Sequence, residues 1–144
     1  MNAIDGTGII VEEPDWSRFL KTAAEKADAA EHWRRLTTEM RDREILSPAN
    51  AHALLRLVIT YVVHDRAAAD AGKLGGVAKP KRGNPKSIAR VSPHFTVMKE
   101  SAAAAASIEA ELGLAPRRRN GVAKVQRRVA KRTGADRFLK PVAK

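Results

Sequence analysis

A chain of 144 residues with 44% apolar content, a net charge of +11 and no cysteine is long enough to bury one core. It excludes a disulfide framework, a thiolate metal site and a cysteine nucleophile. Only six residues are aromatic, no stretch approaches the roughly eighteen apolar residues of a membrane span, and no basic segment followed by an apolar run opens the chain, so composition predicts a soluble, intracellular, all-α protein whose helices pack through small side chains.

Residues 1–12 lack helical periodicity and hold two glycines, which predicts a flexible N-terminal arm ordered only when docked. Glu13-Pro14-Asp15 reads as a helix start, with proline early and acids at the positive end of the dipole. Trp16, Phe19, Leu20, Ala23, Ala27, Ala30, Trp33, Leu36 and Met40 follow at spacings of three and four, one apolar stripe to about residue 43. The pattern fits one long helix, or two in series with a break near Ala27-Asp28.

Ser47-Pro48 caps the next helix, which runs to about Leu74 and carries Leu54, Leu55, Leu57, Val58, Ile59, Tyr61, Val62 and Val63 around most of its circumference. A helix apolar all round has to be covered on several sides. The cover is either its own neighbours or another copy of the chain, in which case Leu55, Val58, Ile59 and Val62 form an oligomer interface. Residues 29–74 therefore read as a structural helical hairpin. Its second helix is too apolar to serve as the recognition helix of a helix-turn-helix.

The segment 75–92, with Gly75, Gly76, Pro80, Gly83 and Pro85, reads as a basic loop in which Lys79, Lys81 and Arg82 are candidates to touch phosphate. Ser92-Pro93 repeats the cap-and-proline start, and Met98, Ala102, Ala105, Ile108 and Leu112 mark a narrow stripe on a helix that stops at Gly113. The body thus spans 13–114. Beyond it, residues 115–144 hold eleven Lys and Arg and a single Asp, a net of +10 out of the chain's +11.

Charge segregated this sharply predicts a polyanion-binding arm, and nucleic acid is the commonest polyanion. Arg117, Arg118, Arg119, Lys124, Arg127, Arg128, Lys131 and Arg132 are the candidate DNA contacts, with Val122, Val125 and Val129 set among them as one face of a helix formed on binding. The tail also ends in Phe138 and Leu139, apolar anchors suited to a groove on an acidic protein partner.

No catalytic constellation is legible. His32, His52, His64 and His94 are scattered, the two on the long helix being about 18 Å apart along its axis, and no phosphate loop, dinucleotide fingerprint or His-Glu-x-x-His occurs. Glu109 and Glu111 diverge on their helix, as do Asp42 and Glu44. An enzyme would need these groups to converge in the fold. No catalytic residue, metal site or cofactor is therefore expected.

Three stretches in this order resemble the phage terminase small subunits of tailed phages with packaging of the cohesive-end type. They are Ala30-Glu-His-Trp33-Arg-Arg-Leu36 through Ile45-Leu-Ser-Pro-Ala-Asn-Ala51; Leu54 through Tyr61 to Gly72-Lys-Leu74-Gly75; and Asn84-Pro85, the alanine-rich helix, then Glu111-Leu-Gly-Leu-Ala-Pro-Arg-Arg-Arg119. The resemblance covers roughly residues 15–122. It implies a non-catalytic adaptor that assembles into a homo-oligomeric ring, binds double-stranded viral DNA in the host cell cytoplasm, and delivers it to the large terminase subunit, which holds the ATPase and nuclease. The alternative is a general nucleic-acid-binding protein with a basic tail and no packaging role.

Overall fold

A computed structural model describes residues 4–6, 11–78, 88–116 and 125–127 of the chain. The first segment of the body differs from the helix expected at Pro14. Trp16–Arg18 form only a single 3-10 turn, capped by the Asp15 carboxylate, which accepts from the Ser17 amide. The α-helix proper, α1, spans Ala23–Asp42. Its start is a capping box: the Glu25 amide donates to Thr22 Oγ1 at 3.2 Å, and the Thr22 amide donates back to Glu25 Oε2 at 3.3 Å. Two otherwise unpaired amides are satisfied together, so the break falls at Thr22 rather than at Ala27-Asp28. The consequence is visible at Phe19. A continuous helix would have turned it inward with Trp16, whereas it lies 47% exposed while Trp16 and Leu20 are buried.

At its other end α1 closes in a Schellman motif. The Ile45 amide donates to the Met40 carbonyl, the Glu44 amide donates to that of Arg41, and Glu44 takes the left-handed conformation with φ 57°. Met40 and Ile45 are both buried, the apolar contact that accompanies this ending. Ser47 and Pro48 open a 3-10 turn, Pro48–Asn50, that leads into α2, Ala51–Leu74. Twenty-four residues at 1.5 Å rise give a rod of about 36 Å.

α2 is the central element, packed against α3 and, less extensively, against α1. Leu54, Leu57 and Val58 are fully buried and Val62 nearly so. Two of the four residues expected to meet another copy, Val58 and Val62, are thereby occupied by the chain's own core. Neighbouring helices cover that side of α2.

The stretch 75–92 is not loop throughout. β2, Val77–Ala78, pairs antiparallel with β3, Arg90–Val91, in the register Val77 opposite Val91 and Ala78 opposite Arg90. The β-branched pair favours this extended pairing, and the buried Ser92 fastens it by donating its amide to the Gly76 carbonyl.

α3, Pro93–Glu111, packs through Ser101, Ala105, Ile108 and Leu112, so Ser101 rather than Ala102 marks its inward face. It ends in a second Schellman motif: Leu114 donates to the Glu109 carbonyl, Gly113 to that of Ala110, and Gly113 sits at φ 71°. Leu112 and Leu114 enter the core on either side of it. Arg43 Nη2 donates to the Gly113 carbonyl at 2.8 Å, tying this ending to that of α1.

The N-terminal arm carries β1, Ile4–Gly6, paired in parallel with β4, Val125–Arg127. Chain pattern predicted neither sheet, because strands of two or three residues leave no alternation to detect. The core itself joins Trp16, Leu20, Trp33, Leu36 and Met40 to Leu54, Leu57, Val58, Ala105 and Leu112, with Trp16 and Trp33 edge to face at 5.8 Å.

Candidate assembly face and nucleic-acid arm

Ten of the eleven candidate DNA contacts, Lys79, Lys81, Arg82, Arg117, Arg118, Arg119, Lys124, Arg128, Lys131 and Arg132, lie outside the described residues. Arg127 falls in β4, its backbone in register with Gly6. The Phe138 and Leu139 anchors also lie outside. The body that precedes the arm is close to neutral, so the cationic field of the molecule originates in the C-terminal thirty residues.

The open apolar surface of the body is better defined. Leu55 and Ile59, the other two expected interface residues, are half-buried. Ile59 and Val63 of α2 face Val97 and Ala104 of α3 across an open groove of about 310 Å³, with Glu100 and Ser101 on its wall. On the α3 side the groove is lined by Val97, Glu100, Ser101 and Ala104, which recur at helical spacing, and the exposed Ala104 projects a single carbon beside the larger side chains of α2. Ile59, expected from the sequence at an oligomer interface, lines this groove, whereas Val97 and Glu100, which also line it, were not among the expected site residues. The signal available was the pairing of an all-round apolar helix with an alanine-rich one.

Polar side chains on α2 tie it to both neighbours. Tyr61 Oη donates to Glu109 Oε1 of α3 at 2.6 Å, and its ring lies 5.3 Å from that of His32 on α1. Burial, and then the carboxylate of Glu109, push the Tyr61 hydroxyl well above the usual phenol range. His32 Nε2 and His64 Nδ1 each stand 3.2 Å from a different oxygen of Asp65, and Arg35 Nη2 is 3.2 Å from His32 Nδ1. Arg66 Nη1 donates to Glu25 Oε1 at 2.9 Å. Hydrogen bonds from the Thr22 amide and hydroxyl, with help from Arg66, lower the Glu25 carboxyl.

The fold therefore brings together His32, His64 and Asp65, a convergence that spacing along one helix did not reveal. The group is open to water, Asp65 being 58% exposed at its side chain, and its imidazoles are spent on one carboxylate. Among the described residues no set of three or more His, Cys, Asp or Glu side chains is placed to hold a metal ion. Every buried side-chain nitrogen and oxygen among them has a partner. No helix among them is long and apolar enough to cross a membrane.

These features define a small α-helical body with an open apolar face, followed by a strongly cationic extension. The family model of the phage terminase small subunit matches residues 29–128, from the first buried turn of α1 through all three helices into the basic arm. The chain belongs to that family, which gives it a role in phage DNA packaging. No curated protein and no solved structure gives a significant match.

Proposed function

We propose that this protein is the DNA-binding, non-catalytic adaptor of a packaging motor of the cohesive-end type. It assembles as a homo-oligomeric ring in the host cytoplasm, holds double-stranded viral DNA through the basic arm, and presents that DNA to the large terminase subunit. The family match over residues 29–128 carries the reading. The charge distribution supports the DNA contact: a near-neutral body folds and assembles, and an arm of net +10 neutralises phosphates and releases their counterions. Such contacts supply affinity and leave sequence discrimination to groove readout or DNA shape. Lys79, Lys81 and Arg82, in the connection between β2 and β3, add a second cationic site to that of the arm.

Truncation after Pro116 tests the assignment. All three helices and both Schellman endings lie before the cut, so the circular dichroism of the body persists while DNA affinity falls. If the arm makes about six phosphate contacts, the full chain loses affinity with a logarithmic salt slope of about −5, and the truncated chain loses most of that slope. Charge reversal at Arg117, Arg118 and Arg119 probes the start of the arm alone. A truncated protein that binds duplex DNA as tightly, with the same salt slope, overturns the assignment.

A further inference from the structure

Phe19 is the one described aromatic residue that the fold leaves exposed; Trp16 and Trp33 are buried, and Tyr61 and Phe95 are half-buried. It stands at the end of the 3-10 turn between Arg18 and Lys21, both exposed. Phe19 is thus an exposed apolar side chain with exposed basic neighbours in the chain on either side, Arg18 also lying near the Asp15 carboxylate. The α2/α3 groove is its complement. It is a wide-open depression whose apolar lining is Ile59, Val63, Val97 and Ala104, and its one charged lining residue is the carboxylate of Glu100.

We propose that Phe19 of one copy of this chain seats in the α2/α3 groove of the next, with Arg18 or Lys21 facing Glu100. Volume permits it: an apolar cavity of about 150 Å³ already accepts a benzene ring, and the groove offers about 310 Å³. The simplest alternative, two of these faces packed together about a two-fold axis, is separated from it by the cross-linking test below. Phe19 and the groove sit on different elements, so the contact can repeat head to tail and close into a ring when the rotation allows, which the multimer ladder of the double variant distinguishes from a two-fold pair exchanging both Phe19 side chains. The inference deepens the homo-oligomer part of the proposed function by naming the joint between subunits. It does not depend on DNA binding.

The absence of native cysteine makes the test clean. Full-length Phe19→Cys and Ala104→Cys chains are prepared separately, mixed under mild oxidation at high salt, and run on non-reducing gels beside each variant alone. Position 104 is exposed and position 19 nearly half so, hence both variants keep the fold, which circular dichroism verifies. The expected result is a covalent dimer in the mixture, none or far less from either variant alone, and a ladder of multimers from the double variant. Light scattering of Phe19→Ala shows at least about a tenfold rise in the concentration needed for assembly, the scale of a lost aromatic anchor. Glu100→Lys weakens assembly similarly, and mixing it with Arg18→Glu/Lys21→Glu restores it.

Cross-linking by Ala104→Cys alone would establish the two-fold packing and overturn the proposal. So would an oligomer in which positions 19 and 104 fail to cross-link; that outcome leaves assembly standing and removes only this joint. A wild-type chain that is monomeric at all concentrations tested overturns both the joint and the ring, while the truncation experiment on DNA binding retains its meaning.

Discussion

Replacing Tyr61 with phenylalanine removes one oxygen at the point where all three helices meet. The hydroxyl donates to Glu109 at 2.6 Å, whereas the ring, with its contact to His32, is retained. A hydrogen bond to a charged acceptor contributes about 1.5–3 kcal/mol. Tyr61 and Glu109 are only half-buried, so water partly replaces the lost donor and the expected cost falls to about 1–2 kcal/mol. For a body of this size that corresponds to a fall in Tm of about 4–8 °C, read by circular dichroism at 222 nm. A double-mutant cycle with Glu109→Gln isolates the pair, and its coupling energy should account for most of the effect.

The same bond predicts a pH dependence. Because the folded protein raises the Tyr61 pKa above the unfolded value near 10, the contribution is complete below about pH 10. It disappears as pH rises toward the folded pKa, since a phenolate cannot donate and repels the carboxylate. Tyr61 is the only tyrosine, so phenolate absorbance at alkaline pH reports on it alone, and it should appear together with unfolding. A Tyr61→Phe variant within about 0.3 kcal/mol of wild type, or a phenolate that titrates near pH 10 with helicity intact, would refute the reasoning.

Thr22→Ala removes half of the capping box and should cost about 1 kcal/mol in chemical denaturation. Because the box and Arg66 lower the Glu25 pKa, the Glu25 contribution is present above its unfolded pKa and is lost as pH falls through the folded value; Glu25→Gln should flatten that part of the acid profile. Leu57→Ala opens a cavity at a fully buried position and should cost about 2–5 kcal/mol, measured as a lower midpoint in urea. Gly72 and Gly75 should respond with opposite signs although a Cβ meets nothing within 4 Å at either. Gly72→Ala removes a glycine from inside α2 and should stabilise by about 0.5–1 kcal/mol. Gly75→Ala forces a side chain onto φ 82°, ψ 162° and should destabilise by about 1–3 kcal/mol.

Much of the fold was legible because helices are local. The start of α3 at Ser92-Pro93, though without the expected side-chain cap, the stop at Gly113 and the apolar rows of α1 and α2 each follow from residues within a turn or two of one another, whereas Ser47 caps the 3-10 turn before α2 rather than α2 itself. The start of α1 was misplaced because Trp16, Phe19 and Leu20 keep helical spacing across a break. Thr22 and Glu25 decide that start through two hydrogen bonds whose pattern competes with the earlier Pro14 signal. Leu-Gly-Leu at 112–114 was readable as a helix stop, but its reach to Arg43 was not, since the partners lie seventy positions apart.

The sequence by itself determined the helical class, the absence of thiol chemistry and the concentration of charge in the last thirty residues, all of which follow from composition and short-range order. Tertiary structure alone decided which apolar side chains were consumed. Val58 and Val62 went inward because α1 and α3 both pack on α2. Ile59 and Val63 stayed partly open because Ala104, opposite them on α3, is too short to cover them, and Phe19 was left outside because α1 begins after it. Periodicity counts apolar residues on a face, but how much of that face is covered depends on the size and placement of side chains far away in the chain. The candidate joint between subunits is made of that uncovered remainder.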